Sequence, residues 1–369
     1  MEKTATDSLL LFPCPACNAQ LYYEPGTKQL NCQYCGTNVP ITTSTDPLKE
    51  ADLLSFLKWE GKGTEAVEQH TYKCTRCGTP ATFSTATTSF ICGSCSFEVT
   101  NPVAFKTKTV QPSALIPFKV NEARAHEIIK GWLDKDYDSR KIRKESPLTP
   151  QLKGVYLPYW TFSAKSTSPW SGDSGEYYYE TWDEKDKDGN IITHREQHTK
   201  WTPRSGTHKD SFKDILIEGT NQMPLGIENN FPYHFEELVS YNESYLSGFE
   251  AQLYNVELSS AYNHAEDIMQ RDIKDDCINA CSEDDYRDLE VKTTYSNQTF
   301  KLILIPIWLG TITYKGQNYH FRLNGQTGKL DGKKPEIKMP FWQGLLILAI
   351  IGTIIFLILK FLHFVYTDE

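Results

Sequence analysis

Two stretches of this chain, YLPYWTFSA at residues 156–164 and LIPIWLGTITY at residues 304–314, share a proline followed two residues later by a tryptophan. Each leads through a glycine-containing tripeptide, Ser-Gly-Asp at 171–173 or Lys-Gly-Gln at 315–317, into a second run of aromatic residues. Aromatic and β-branched runs separated by such turns are typical of β-strands joined as hairpins. The pattern predicts antiparallel sheet with one packed and one solvent-facing face, built from two similar halves.

The segments around these stretches have the apolar spacing of helices. Asn121 is a candidate N-cap for a helix that follows it directly. Two further helices are predicted, near residues 235–246 and over residues 258–281. Residues 106–335 are therefore predicted to form a β-rich domain of the α+β class.

Eight of the ten cysteines form four C-x-x-C pairs, and each set of two pairs has fourteen residues between the pairs. The sets start 60 residues apart and are therefore an internal repeat. Two C-x-x-C turns on a short hairpin supply the four tetrahedral sulfur ligands that zinc prefers. The sequence predicts two tandem zinc ribbons, over residues 1–45 and 70–105 with a linker at 46–69, each holding one structural Zn²⁺. The predicted ligands are Cys14, Cys17, Cys32, Cys35, Cys74, Cys77, Cys92 and Cys95.

Three alternatives compete for these pairs: thioredoxin-like redox pairs, a disulfide framework, and a ribbon that has lost its metal. Because cysteine fills every ligand position, the sites are expected to be closed and structural, with no open position for catalysis. The other two cysteines, Cys277 and Cys281, continue the apolar stripe of the helix at 258–281. They are predicted to be small buried side chains, with a metal or redox pair as the alternative.

Residues 341–359 read FWQGLLILAIIGTIIFLIL, long enough at about 1.5 Å per residue to cross a bilayer. A transmembrane helix is therefore predicted within residues 340–366, with a buried core helix as the alternative. Four lysines precede this stretch and Lys360 alone follows it, and no secretory signal opens the chain. The expectation is a tail-anchored, single-pass protein of the inner or plasma membrane, with the bilayer as a partner and the bulk of the chain cytoplasmic.

No catalytic constellation is recognisable. His194 and His198 have metalloprotease-like spacing, but no glutamate follows His194 directly, so an exposed strand or loop is the better interpretation. NGQTGK at residues 324–329 lacks the spacing of a phosphate-binding loop and predicts a hairpin turn. The chain is expected not to be an enzyme, the alternative being an unrecognised site between the two halves.

The net charge of the chain argues against nucleic acid as a partner. The formal net charge is −9 and the sequence pI is about 5.6, so the overall field repels a phosphate backbone. Aromatic residues of the ribbons nevertheless leave base stacking open as an alternative. These residues are Tyr22, Tyr23, Tyr34, Tyr72 and Phe90.

The segments CPAC, CQYCGT, CTRCGT, ALIPFKVNEARAHEIIKGWL, LKGVYLPYWTFSA and GQNYHFRLNGQTGK together cover most of the chain. They resemble a family of bacterial zinc-ribbon membrane proteins often mislabelled as primosomal helicase or replication-factor homologues. The resemblance implies a membrane-associated accessory protein whose partners are of the flotillin-like or phage-shock type, in membrane-stress responses. It carries over the eight ribbon cysteines as ligands and no catalytic residue.

These observations together predict a scaffold or recruitment protein, held at the membrane, that presents its ribbons and β-rich domain to other proteins. The closed metal sites and the lack of a catalytic constellation motivate this expectation. A membrane-tethered, nucleic-acid-binding ribbon protein is the second hypothesis, and an enzyme with a site in the β-rich domain is the third.

Overall fold

A computed structural model of the chain shows a small three-stranded sheet, which carries the first cysteines, packed against a large mixed sheet. The residues it describes are 12–42, 48, 50–59, 66–76, 78, 80–82, 89–91, 98–100, 104–135, 151–220, 231–282, 284–334 and 350–360.

Strands form most of the regular structure. A three-stranded antiparallel sheet consists of β1 (Leu21–Tyr23), β2 (Gln29–Cys32) and β3 (Asn38–Pro40), and a two-stranded one of β7 (Ser89–Ile91) and β8 (Glu98–Thr100). Within the described part of the chain, thirteen further strands form one sheet. They are β4 (Ala51–Asp52), β5 (Ala66–Lys73), β6 (Pro80–Thr82), β9 (Ala104–Val110), β10 (Ala114–Leu115), β11 (Gln151–Lys185), β12 (Ile191–Glu218), β13 (Val239–Ser240), β14 (Glu250–Gln252), β15 (Asp285–Val291), β16 (Thr294–Tyr314), β17 (Gln317–Asn324) and β18 (Leu330–Gly332).

The two proline–tryptophan stretches pair with each other at the centre of this sheet. β11 and β16 run antiparallel, with Leu157 opposite Ile305 and Tyr156 opposite Pro306. Pro158 lies opposite Leu304, so the two landmarks face each other across an approximate twofold arrangement. The large sheet is mixed, however, because β10 runs parallel to β16 and β14 runs parallel to β11. The prediction of an antiparallel sheet is therefore wrong for β10 and β14.

The two predicted turns have different outcomes. Lys315 and Gly316, with φ of 51° and 75°, form the two-residue turn between β16 and β17, as the sequence predicts. Residues 171–173 form no turn, because β11 continues through them to Lys185. A Cβ on Gly172 would lie 3.1 Å from the Leu289 backbone, so this glycine permits the close approach of β15. The NGQTGK segment connects β17 to β18, which confirms the hairpin prediction.

Helices α1 (Leu53–Trp59), α2 (Glu122–Leu133) and α3 (Leu258–Cys281) accompany the sheet. The side-chain oxygen of Asn121 accepts a hydrogen bond from the Arg124 amide at 2.8 Å and so caps α2 as predicted. Helix α3 has the predicted bounds. The helix predicted near 235–246 is wrong, because β13 lies between two single-turn 3-10 helices, Phe235–Glu237 and Glu243–Leu246.

The pairing of β13 with the large sheet explains why no helix spans residues 235–246. Val239 and Ser240 lie opposite Leu115 and Ala114 of β10, and this pairing interrupts the helical spacing. Elsewhere, the apolar face of α3 packs on β11, β12 and β16. Cys277 and Cys281 lie fully buried on that face, and burial raises the pKa of both thiols.

The predicted fold class, an α+β chain ending in a transmembrane helix, is wrong. Among the described residues strand is the main regular structure and well exceeds helix. Among its described residues no helix is long and apolar enough to cross a membrane. Of the predicted span, residues 350–360 are described, and they are helical. Residues 340–349 and 361–366 of that prediction lie outside the described residues.

The predicted localisation is corrected by the same finding. The single-pass, tail-anchored assignment and the cytoplasmic orientation both took a complete membrane span as their premise. Without a helix of sufficient length in the described ranges, neither is supported.

Candidate metal centre and exposed arm

The first four cysteines converge on one point. The Cys14 and Cys35 sulfurs lie 3.6 Å apart, and those of Cys17 and Cys32 lie 3.5 Å apart. All four sulfurs lie within 4.8 Å of one another. A tetrahedral ion with metal–sulfur bonds of about 2.3 Å needs sulfurs about 3.8 Å apart. The cluster therefore has the composition and spacing to bind a metal ion.

Local backbone geometry brings these sulfurs together. After each C-x-x-C pair the chain turns through a left-handed residue, Asn18 with φ of 60° and Gly36 with φ of 75°. The Asn18 amide donates to the Cys14 carbonyl and the Gly36 amide donates to the Cys32 carbonyl, both at 2.8 Å. Left-handed backbone favours glycine and tolerates asparagine, so the sequence encodes both turns.

The thiols have widely separated acidities. Hydrogen bonds from the Thr37 hydroxyl, 3.1 Å from the Cys35 sulfur, and from the Thr37 backbone lower the pKa of Cys35 to about 6. For Cys17, a backbone hydrogen bond at Ala19 favours the thiolate, but burial and the three neighbouring thiols raise its pKa to about 12. Four sulfurs this close cannot all ionise against one another, so a cation is what would allow four thiolates to coexist.

The pKa of Cys14 follows the same logic. Burial acts to raise it, but hydrogen bonds from the backbone amides of Ala16 and Cys17 outweigh burial and lower it. Amide groups directed at the sulfurs are the partners expected around thiolate ligands of a structural metal.

A substitution at Gly36 tests the role of the turn. A Cβ there would have no atom within 4 Å, so Gly36→Ala changes only the cost of the left-handed backbone. We expect it to lower the free energy of unfolding by about 1 kcal/mol, measured by urea denaturation. Asn18→Gly, at the matching turn, should change it by less than about 0.5 kcal/mol. Equal losses in both variants would contradict this account of the turns.

The ribbon built on these turns is seated on the β-rich domain. Leu21, Tyr23 and Leu30 share one buried cluster with side chains of α2, β11 and β16. The Tyr23 hydroxyl donates to the Phe118 carbonyl at 2.9 Å, and the Ser247 hydroxyl donates to the Leu21 carbonyl at 2.6 Å. The cysteine cluster is therefore fixed to the rest of the molecule by apolar packing and hydrogen bonds.

The second predicted ligand set is described only at Cys74. Its side chain is buried, and its carbonyl accepts from the Gly78 amide at 2.8 Å, with φ of 76° at Gly78. This repeats the geometry at Gly36. Cys77, Cys92 and Cys95 lie outside the described residues, so the second site and the boundaries proposed for the ribbons stay predictions. Residues 51–59, within the predicted linker, form β4 and α1 and contact β16.

One group of possible ligands has no counterpart in the sequence analysis. His208, Asp210 and Asp276 place one ligand atom each within 4.8 Å of one another. His208 and Asp210 lie on β12 and Asp276 lies on α3, so only the fold brings them together. Asp276 is exposed, and carboxylates at a surface often cluster without an ion.

The outer parts of β11 and β12 form an exposed two-stranded hairpin, residues 176–200, which we call the arm. Beyond Gly175, the described residues pair β11 with β12 alone, and the arm extends about 33 Å. Trp182 stacks on His194 and Tyr178 stacks on His198, with ring centroids 5.3 and 5.4 Å apart. His194 and His198 therefore lie on an exposed strand, as predicted.

The arm exposes several large apolar side chains. Trp182 is 47% exposed, and Ile191 at the tip is 64% exposed. On the opposite face the Arg195 guanidinium lies 3.7 Å from the ring centroid of Tyr179. Seven acidic and four basic residues lie between 176 and 200, so the arm also carries net negative charge.

No family model and no solved structure matches the chain. An uncharacterized protein of Bacillus subtilis strain 168, YdjG, is 23% identical over 236 residues. The match covers 61% of this chain and 64% of that relative, less than two thirds of its length.

Proposed function

We propose that this chain is a recruitment protein, with a zinc-stabilised ribbon at its first cysteine cluster and with the arm as its contact surface for other proteins. The observation that carries the proposal is the exposed aromatic surface of the arm. Long hairpins that extend beyond their sheet bury little of their own apolar area, so exposed aromatics on them favour a binding role.

Zinc is the ion that the donor set favours. Four cysteine sulfurs in a closed tetrahedral arrangement suit zinc, and a site without an open position suits a structural ion. The identical turn at Cys74 and Gly78 supports a second ion at the second cysteine set. When bound, the ion would neutralise the thiolates and hold the ribbon rigid, while the ribbon side chains Tyr23 and Gln20 donate hydrogen bonds to the Phe118 carbonyl and the Ser247 hydroxyl.

The chemistry of the arm indicates the kind of partner. Tyr178 and Trp182 present stacked aromatic rings, and tyrosine and tryptophan are enriched among the residues that dominate protein interfaces. The net negative charge between 176 and 200 favours a partner surface that is basic around an apolar centre. The first partners to test are flotillin-like and phage-shock-type proteins, which the family resemblance implies.

Capture experiments with an arm variant test the proposal. We expect Tyr178→Ser/Trp182→Ser to reduce partner capture from host lysate at least about tenfold, because two interface aromatics would be lost. Both side chains are exposed, so zinc content and thermal unfolding should stay close to those of the wild type. The measurement is quantitative mass spectrometry of proteins retained by the tagged full chain.

A matched variant separates the arm from general surface stickiness. Tyr34→Ser/Leu54→Ser also removes two exposed apolar side chains, 84% and 53% exposed, but lies on the ribbon and α1. It should retain the partners. Unchanged capture by the arm variant, together with loss in this control, would move the contact surface to the ribbon side and refute the role of the arm.

A further inference from the structure

A cavity of about 580 Å³ lies where the first ribbon meets the β-rich domain. The ribbon contributes Gln20 and Tyr22, the start of α2 contributes Glu122, and the segment around β14 contributes Phe249 and Glu250. This volume falls within the range of about 300–1,000 Å³ that holds small organic ligands. The cavity is formed by parts of the chain that are far apart in sequence.

Two buried acceptors belong to side chains that line this cavity. Glu250 is 5% exposed, and one of its carboxylate oxygens is paired with the Lys153 ammonium. The other oxygen, Oε2, has no hydrogen-bond donor among the residues that the structure describes, and the same holds for Oε1 of Gln20. Buried acceptors without donors are costly, and the terminal torsion of a glutamate carboxylate turns readily toward a donor.

The Gln20 side chain is already held in place by its amide nitrogen. Nε2 donates to the Leu21 carbonyl at 2.9 Å and to the Ser247 hydroxyl at 3.2 Å. Its oxygen therefore remains for a donor from another molecule. A ligand that supplies at least two N–H groups would complete both acceptors.

Close approaches at two glycines shape the aromatic wall. A Cβ on Gly154 would lie 2.5 Å from the Phe249 ring, and one on Gly248 would lie 3.1 Å from the Tyr22 ring. Gly248 also has a φ of 92°. Any larger residue at these positions would displace the rings, so the glycines set the width of the cavity.

The charges favour a cation. The lining includes two carboxylates, Glu122 and Glu250, and one ammonium, Lys153. The aromatic rings of Tyr22, Phe249 and Trp308 add the negative faces that attract ammonium and guanidinium groups. An anion would meet both carboxylates, and a neutral apolar molecule would leave both acceptors without donors.

We propose that this cavity is a binding site for a small organic cation, whose ammonium or guanidinium group donates to Glu250 and Gln20 and whose body lies against Tyr22 and Phe249. The site is separate from the cysteine cluster and from the arm. Its function is independent of the recruitment proposed above, so either proposal can fail alone.

Calorimetric titration of the full-length, zinc-loaded protein tests the site. The probes are agmatine, 1,4-diaminobutane and, as a neutral control, 1-pentanol. We expect at least one of the cations to bind and the alcohol to give no heat. Glu250→Gln should weaken binding about tenfold or more, because it removes the charged acceptor. Absence of binding by every cation up to about 10 mM would overturn the proposal.

Additional variants keep the test valid if Glu250→Gln alone folds poorly because the ion pair with Lys153 is lost. Lys153→Met/Glu250→Gln removes both charges together and should also lose binding. Glu122→Gln should weaken binding about twofold to fivefold by lowering the local negative potential. Glu127→Gln removes the same charge from α2 outside the cavity and should bind as the wild type does.

A basic peptide distinguishes the two sources of this chemistry. The probe is acetyl-Gly-Arg-Gly-amide, which carries its guanidinium on a protein backbone. Binding of agmatine with equal or higher affinity than the peptide supports a free cation. Binding of the peptide alone, or equal cation binding by the wild type and Lys153→Met/Glu250→Gln, would refute the proposal.

Discussion

Cys32→Ser is expected to remove one equivalent of zinc from the purified protein and to lower its free energy of unfolding by at least about 3 kcal/mol. Cys32 is completely buried, and its sulfur lies 3.5 Å from that of Cys17. Losing one thiolate leaves three ligands for a site that four should close. The measurements are metal analysis of the protein after purification in zinc-containing buffer, and urea denaturation.

Loss of the ion should also weaken the packing of the ribbon against the β-rich domain. Residues 12–42 are expected to exchange amide hydrogens faster in the variant, because Leu21 and Tyr23 are aligned for packing by the sulfur cluster. Cys281→Ala is the matched control, since it removes a buried thiol on α3 and should retain the zinc of the wild type. Equal zinc content in Cys32→Ser and wild type would exclude the first cluster as a zinc site.

Trp160→Ala is expected to cost about 3–5 kcal/mol of unfolding free energy, enough to unfold many proteins at 37 °C. Trp160 is completely buried in β11 at the centre of the large sheet. Its ring packs edge-on against Tyr254, with ring centroids 4.9 Å apart. Its indole N–H donates to the Val256 carbonyl at 2.9 Å. The alanine variant loses both the packing and the hydrogen bond.

A milder substitution separates those two contributions. Trp160→Phe retains a ring and loses the hydrogen bond, so it should cost about 1–3 kcal/mol. Thermal unfolding of the full chain, followed by circular dichroism, measures both variants. A loss for Trp160→Ala no larger than that for Trp160→Phe would show that the site collapses around the missing ring and that packing there is not tight.

Local patterns predicted part of the fold well. Helix α3 has its predicted bounds because its apolar spacing is uninterrupted and coincides with the buried face. The left-handed residues Asn18, Gly36 and Gly78 occur where the C-x-x-C spacing places turns. These features depend on residues close in sequence, for which spacing and backbone preference are sufficient information.

Features that depend on distant partners were missed. β11 continues through Gly172 because Leu289 lies against it, and no local signal distinguishes this glycine from one in a turn. β13 replaces the predicted helix because β10 pairs with it. The apolar stretch at 341–359 has the composition of a membrane span, but only its residues 350–359 are described, and no described helix is long and apolar enough to cross a membrane.

The candidate sites also differ in whether residues close in sequence or distant in sequence form them. The first cysteine cluster was predictable, since its four ligands lie within 22 residues and repeat a metal-binding spacing. The arm was visible only as the aromatic run at residues 177–179 and the exposed-strand interpretation of His194 and His198, and its projection depends on where β15 stops pairing with β11. The cavity at Glu250 had no signal at all, because its lining comes from the ribbon, α2 and β14.

The contact between the ribbon and the β-rich domain has a consequence for synthesis of the chain. Ser247, which donates to the Leu21 carbonyl, follows it by 226 residues. At about 5–20 residues per second, a ribosome needs roughly 10–45 s to extend the chain between these points. The cysteine cluster is complete early, whereas the surface that covers Leu21 and Tyr23 is not. A nascent ribbon therefore leaves the ribosome with its apolar side exposed, and early metal capture would protect that intermediate from misfolding.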